Sequence, residues 1–399
     1  MPKLNLFDNA FGTEAAQGSI EIINAYVDSF NGQVALKTRP GLTNSYPLSA
    51  NGRVDLYWWE AKKGLIATAG EKIFAKISKI GAWIDITPTN PLDIFPFNAR
   101  VFFSADEYGV TMSAGQHMLW WGGNTSMTAV RITDSSAPTR ITALTYLKGY
   151  TIASVLNSQK FQYATYAPLD DRTAPPPWSP LEQSASAQPD DIVVLDSGWE
   201  ELFIIGREST ESHYVSGNEE IPLPILNGSV GEVGTVNNRT LKKLGSAWYF
   251  FTPDKQVVRM EGRNPRVLSK AIEYRLRNIS AFDEAEALTL FNRFYVLTFP
   301  NSHETFVFDQ DTNLWYEWLY WNPSTYEYLR FPGISAVVAK SWGQQIVGGF
   351  DGQVYTSEYT LLSDAGNPIR GQVTSGDIDH GTLDRKFASE LEIRLRRGY

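Results

Sequence analysis

The chain has 399 residues, 43% of them hydrophobic and 13% aromatic, enough apolar material for a large core and too much for wholesale disorder. Cysteine is absent, so a disulfide framework, a thiolate nucleophile and a cysteine-based zinc site are all excluded. A formal net charge of −9 argues against a free-standing nucleic-acid binder, which needs a basic face to neutralise phosphates.

Residues 1–50 read as a polar N-terminal arm. Its opening stretch, MPKLNLFDNAFGTE, has no apolar core of the kind a signal peptide carries, and no apolar run in the chain approaches the roughly 18 residues a membrane helix needs. Residues 33–37 (QVALK) form a strand-like run leading into Arg39, Pro40 and Gly41. There Pro presets φ and Gly is expected to supply a positive φ, as in a type II turn.

From Arg53 a pattern recurs about every 40–50 residues, the period of propeller blades. Each unit is a run of β-branched and aromatic residues, a tight turn, then a second run. The clearest cases are 53–60 (RVDLYWWE) with 65–69 (LIATA), 246–252 (SAWYFFT) with 256–260 (QVVRM), 292–299 (NRFYVLTF) with 304–308 (ETFVF), and 344–348 (QQIVG) with 353–357 (QVYTS). Unit starts fall near Arg53, Ala99, Arg140, Asp191, Ser246, Phe291 and Ile334, the third and fourth being the least regular. The expected fold is all-β: a β-propeller of six, alternatively seven, blades over residues 51–363. To it belong the short N-terminal arm, one connecting helix and a small C-terminal β add-on over residues 364–399.

The helix is expected after Ser269 as its cap, with Ile272, Leu276 and Ile279 on one face. A Pro-rich stretch, 174–180 (APPPWSP), cannot sit in a central strand and reads as a surface excursion. A propeller must tie its first blade to its last, and residues 33–37 are the candidate closing strand.

No catalytic constellation stands out. The four histidines, His117, His213, His303 and His380, lie in or beside different turns without ligand spacing. The glycines of 228–234 (GSVGEVG) lack the strand-then-helix context of a phosphate loop. Asp309 and Asp311 suit a β-turn and lack the glycine and distal Glu of a calcium loop. Carboxylates adjacent in sequence point to opposite faces of a strand, so the adjacency of Glu200-Glu201 and its like is no evidence of a glycosidase pair. The tandem Trp58-Trp59 and Trp120-Trp121 are expected to place one ring inward and one outward. No cofactor or metal is expected, and the chain reads as no enzyme.

The layout resembles the tail hub or nozzle proteins of short-tailed bacteriophages, the packaged-DNA stabilisation family. The resemblance rests on 24–28 (NAYVD), on 38–42 (TRPGL) and on 65–77 (LIATAGEKIFAKI). It is clearest over 189–216 (PDDIVVLDSGWEELFIIGRESTESHYVS), and 228–235, Trp248-Tyr249-Phe250 and 307–309 ending at Trp315 keep the family order. It covers roughly residues 20–360 and implies a virion structural protein of the phage tail. That protein would be a homo-hexameric ring that retains packaged DNA and forms the channel for its ejection. The partners implied are the portal adaptor (head-completion) ring, a tail needle, spike or fibre protein, and double-stranded DNA passing without sequence-specific binding. A negative wall would let the duplex pass without sticking.

A cyclic ring needs two complementary patches on each subunit. The expected interface residues are Trp315, Trp318 and Trp321, Pro176 and Trp178 of the Pro-rich excursion, and Arg394, Arg396 and Arg397 near the C-terminus. On that expectation Trp318→Ala would weaken ring formation and leave the blades folded. Two other readings stay open on the residues alone. A carbohydrate-binding or carbohydrate-active propeller would carry an inward ring of carboxylates and Trp about its axis. A generic scaffold for protein partners would be a stable monomer.

Overall fold

In the computed structural model, which describes residues 21–30, 33–185 and 187–374, seven antiparallel sheets follow one another along the chain as the blades of a propeller. Blade 1 comprises Val54–Trp59, Gly64–Ala69, Lys72–Lys76 and Ile84–Asp85; blade 2 comprises Phe102–Ala105, Val110–Ser113, Met118–Trp121 and Val130–Arg131. Blade 3 comprises Ile141–Leu147, Tyr150–Val155, Lys160–Ala164 and Gln183–Ser184, and blade 4 has three strands, Val194–Gly198, Glu201–Ile205 and Thr210–Tyr214. Blade 5 runs through Lys242–Leu244, Ala247–Phe251, Val257–Glu261 and Asn264–Val267. Blade 6 is built on Glu286–Leu290, Phe294–Phe299, Glu304–Asp309 and Leu314–Glu317, and blade 7 on Gly333–Ala339, Gln344–Gly349 and Val354–Glu358. The count is therefore seven, the alternative rather than the leading expectation of six. Each of the seven expected unit starts lies at or within a few residues of the first or second strand of one blade.

The strands form because each blade is covered on both faces. Successive side chains of a strand point to opposite faces, and in a propeller each face meets a neighbouring blade. In blade 5, Trp248 and Phe250 pack with Leu202 and Phe203 of blade 4, while Tyr249 and Phe251 pack with Tyr295 and Leu297 of blade 6. The tandem Trp pairs follow the same rule. Trp59 meets Trp121 of blade 2 edge-on, with centroids 6.0 Å apart, while Trp58 meets Trp342 on the blade 7 side at 5.1 Å. Trp120 and Trp121 are both buried, Trp120 toward blade 3 and Trp121 toward blade 1. The expected outward ring is absent at Trp120-Trp121, because both faces are inside, while Trp58 is half-buried. Clusters of this kind join blades 1 and 2, 2 and 3, 3 through 5, 5 and 6, 6 and 7, and 7 and 1, so the core is a closed ring.

The ring is closed by Gly41–Asn44, which pairs antiparallel with Val354–Glu358 as the fourth strand of blade 7. The expected closing run belongs instead to Gln33–Thr38, which pairs with Ala25–Phe30 in a local hairpin. Gly41 also departs from the turn expectation. It lies in the strand without a positive φ, and it is glycine because a Cβ would sit 2.5 Å from the Ser363 carbonyl oxygen and 2.7 Å from that of Leu361. Glu21–Ile23 joins blade 6 beside Leu314–Glu317, and Gln372–Thr374 pairs outside it. Ser363–Asp364 and Asn367–Pro368 extend blade 7 beyond Gly41–Asn44. Blades 6 and 7 thus form a six-stranded shoulder each, where both ends of the described chain converge.

The helical segment is a 3-10 turn, Ser269–Ile272, followed by a single-turn-plus helix, Glu273–Asn278, with Leu276 and Ile279 buried as expected. Ser269 does not cap it. Its hydroxyl accepts instead from the Val257 N–H at 2.9 Å, tying the segment to blade 5.

Candidate functional site

The innermost strands all run the same way down the axis, so residues at their starts gather at one mouth of the propeller. Arg53 and Asp55 come from blade 1, Arg100 precedes blade 2, Asp196 lies in blade 4, Arg239 and Lys242 lead into and open blade 5, Glu286 opens blade 6 and Arg330 precedes blade 7. Arg53 donates to Asp55 at 3.1–3.2 Å and to Glu286 Oε1 at 2.6 Å, spanning blades 1 and 6. Arg239 donates to the same Glu286 oxygen at 3.4 Å, and Asp55 also accepts from the Val101 N–H at 2.9 Å. From blade 5, the Asn238 side chain donates to the Thr142 carbonyl in blade 3 at 2.7 Å. Side chains therefore bridge blades that are not adjacent and crowd this end of the axis.

The electrostatics follow from burial and crowding. Burial alone would raise the Asp55 carboxyl, but Arg53 and Arg100 hold it below its ordinary value. Burial pushes the Asp196 carboxyl up, with partial relief from the Trp248 indole N–H, which donates to it at 2.7 Å. Burial pushes the Lys242 ammonium down to about 7, and Arg100 beside it adds to the effect. Burial also lowers Arg100 and Arg330. Arg100 approaches Asp55 no closer than 3.9 Å, and its Nε and Nη1 have no hydrogen-bond partner among the described residues; neither does Glu286 Oε2.

The expected interface residues separate into three groups. Trp318 is fully buried between blades 6 and 7, with ring centroids 4.8 Å from Phe294 and 6.2 Å from Phe331. Trp178 and Pro176 are buried too, Trp178 in the cluster that joins blades 2 and 3. Trp318 and Trp178 thus pack in the core of the chain, and Pro176 is buried in the excursion. Trp315 is half-buried, and its indole N–H donates to the Leu268 carbonyl at 3.0 Å. Trp321 remains half-exposed on the hairpin Leu319–Asn322/Glu327–Arg330, where Arg370 stacks 4.2 Å from its ring centre and Tyr328 and the largely exposed Tyr326 stand beside it. Arg394, Arg396 and Arg397 lie outside the described residues, as does His380.

Arg39 was read as part of a turn and is instead a buried hub. Its guanidinium pairs with both oxygens of Asp364 and donates to Asn24 Oδ1 at 2.8 Å and to the Leu319 carbonyl at 3.0 Å. Asn24 adopts φ 59°, a conformation Asn tolerates, and its amide donates to the Arg370 carbonyl at 2.8 Å. One side chain thus locks the arm, the 319–330 hairpin and the segment after blade 7. Two of the remaining histidines are held by the fold, His213 buried between Glu211 Oε1 at 2.6 Å and the Leu223 carbonyl at 2.7 Å, and His117 bonding the Asp93 carbonyl at 2.9 Å, while His303 is exposed in a turn with φ 57°. No group of three or more potential metal ligands occurs among the described residues, and no helix there is long and apolar enough to cross a membrane.

Among solved structures, a streptogramin B lyase aligns with a TM-score of 0.53 at 10% identity, covering 80% of this chain and 98% of that one. Virginiamycin B lyase from Staphylococcus aureus aligns at 0.52 and 10% identity, covering 80% and 99%. The WD40 repeats of RRP9 align at 0.51 and 9% identity, covering 80% and 98%. At such identities the likeness is one of fold, and it agrees with a complete propeller. No curated protein matches the sequence. The sequence profile described as bacteriophage P22 Gp10, β-propeller, matches residues 28–356, from the N-terminal hairpin to the third strand of blade 7. The chain therefore belongs to the bacteriophage P22 Gp10 β-propeller family of packaged-DNA stabilisation proteins and is a phage structural protein.

Proposed function

We propose that the chain is the subunit of a six-fold tail hub, or nozzle, ring that retains packaged DNA and forms the channel for its ejection. The family match over residues 28–356 is the observation that carries this reading. The crowded axial mouth supports it. Arg53–Glu286 and Asn238–Thr142 tie non-adjacent blades together at one mouth of a single chain, which leaves a propeller axis poorly suited to a duplex. A conduit then lies between several copies. The net charge of −9 per chain suits such a wall, since phosphate-neutralising cations would hold DNA back.

The subunit works by shape and contact rather than by catalysis. The carbohydrate reading needed carboxylates and Trp rings around the axis. Asp55 and Glu286 are there, each bound by arginine, and Trp248, which donates to Asp196, is a buried core residue. On the outer surface, the Trp321–Tyr326–Tyr328–Arg370 cluster on the shoulder of blades 6 and 7 is the patch best placed for a neighbouring copy. The adaptor ring above and a needle, spike or fibre below are the other partners of this assembly. The test is a phage lacking this chain. Its heads are expected to package DNA and then lose it to nuclease, with retention restored by adding the purified protein. Particles that keep their DNA without the chain would contradict the role.

A further inference from the structure

The axial mouth holds more positive than negative charge: five cations (Arg53, Arg100, Arg239, Lys242, Arg330) face three carboxylates (Asp55, Asp196, Glu286), an excess of two when Lys242 is protonated. In a chain of net charge −9 this is an isolated positive centre. Desolvated cations without partners are costly, and here the shortfall is concentrated. Arg53 and Arg239 are satisfied by Asp55 and Glu286, but Arg100 leaves Nε and Nη1 unbonded, and the Lys242 ammonium makes no ion pair or hydrogen bond among the described residues. Arg100 keeps 18% of its side-chain surface open and Arg239 keeps 29%, so the cluster borders solvent, while the unbonded Arg100 Nε and Nη1 and Glu286 Oε2 lie just beneath that surface.

We propose that this mouth binds a phosphate group, with Arg100 and Lys242 as its principal donors. A guanidinium with two free N–H edges matches the oxygens of a tetrahedral anion, and the ammonium adds a point charge. Glu286 Oε2, the cluster's third orphaned atom, can only accept a hydrogen bond. It therefore favours an anion that retains a proton: hydrogen phosphate over sulfate. The phosphate could be free or carried on DNA. The side chains crowding the mouth leave it poorly suited to a duplex, so the free anion or a phosphate monoester is the expected occupant.

The test is titration calorimetry and thermal unfolding of the full chain with inorganic phosphate, sulfate and a short DNA duplex, all at matched ionic strength. Phosphate should bind saturably, and the unfolding midpoint should climb with each tenfold increase in its concentration. Arg100→Met and Lys242→Met should each weaken phosphate binding by about tenfold or more. Arg100→Met leaves the Arg53–Asp55 and Arg53–Glu286 pairs intact, so the variant should remain folded, and each variant is compared with its own phosphate-free midpoint. Sulfate should bind more weakly, and the duplex should not compete with phosphate. Absence of saturable binding, unchanged affinity in both variants, sulfate binding as well as phosphate, or competition by the duplex would each overturn the assignment. None of these outcomes bears on ring assembly, which is read separately by symmetry.

Discussion

Trp318 shows how a residue's surroundings decide what its loss means. Three tryptophans close together at 315–321 looked like a patch, yet Trp318 is enclosed by Phe294 and Phe331. Trp318→Ala is therefore predicted to cost about 3–5 kcal/mol of folding stability through the cavity it leaves, seen as a lower melting temperature rather than as loss of a partner. A variant that melts normally but fails to assemble would reverse this reading. Lys242 makes a second prediction. With its ammonium pushed down to about 7, the unfolded chain binds more protons than the folded one between about pH 7 and the ordinary lysine value near 10.4. Stability should thus rise with pH across that window, among the facing charges of Arg100, Arg53, Asp55 and Asp196, and Lys242→Met should flatten the rise. Denaturant titrations at about pH 7 and about pH 9 measure it. Asp196, with a raised carboxyl, acts in the opposite sense at lower pH, where stability should fall as pH rises from the ordinary Asp value through the raised one. The axial cluster itself was legible in principle. Arg53, Arg100, Lys242, Glu286 and Arg330 recur at or just before the innermost strand of their repeats, and aligning the repeats would have gathered them. Read one strand at a time, each is only a polar residue beside a turn.

Among the elements, the closing strand and the blade count were the least legible. Residues 33–37 have the stronger strand composition, but a strand pairs with what is nearest, and Ala25–Phe30 lies one turn away. Gly41–Asn44 is poor in β-branched residues and is selected by a close backbone approach that only glycine permits. Blade 3 delays its fourth strand until after the Pro-rich excursion, at Gln183–Ser184, while blade 4 has three strands supplemented by the bridges Thr210–Gly231 and His213–Ile225. Those irregularities blurred the repeat and left six and seven both open. The arm and the segment after blade 7 are held by Arg39, whose contacts join parts of the chain 325 residues apart. Removing one partner of a buried ion pair leaves the other charge uncompensated, so Arg39→Met should cost about 3–5 kcal/mol. Adding Asp364→Leu should recover part of it. A double variant no more stable than the single one would show that the hub acts through its other hydrogen bonds. The blades themselves were the legible part, because tandem aromatics such as 248–251 record burial on both faces of a strand.

At the scale of the molecule, the structure is a propeller of seven blades with one axial mouth crowded by charged side chains, a broadened shoulder at blades 6 and 7, and an acidic overall charge. A chain of this kind conducts a duplex only as part of a larger ring, and that is the central claim. The Trp321 cluster lies on the same shoulder as the converging chain ends, so Trp321→Ala combined with Arg370→Ala should lower the oligomeric state without a large change in melting temperature, as measured by light scattering and calorimetry. The most direct measurement is electron microscopy of the purified chain and of the phage particle, with symmetry determined from class averages. The account predicts six propellers around a channel wide enough for duplex DNA, located in the tail beneath the portal. A monomer in solution together with a tail that lacks this ring would contradict it.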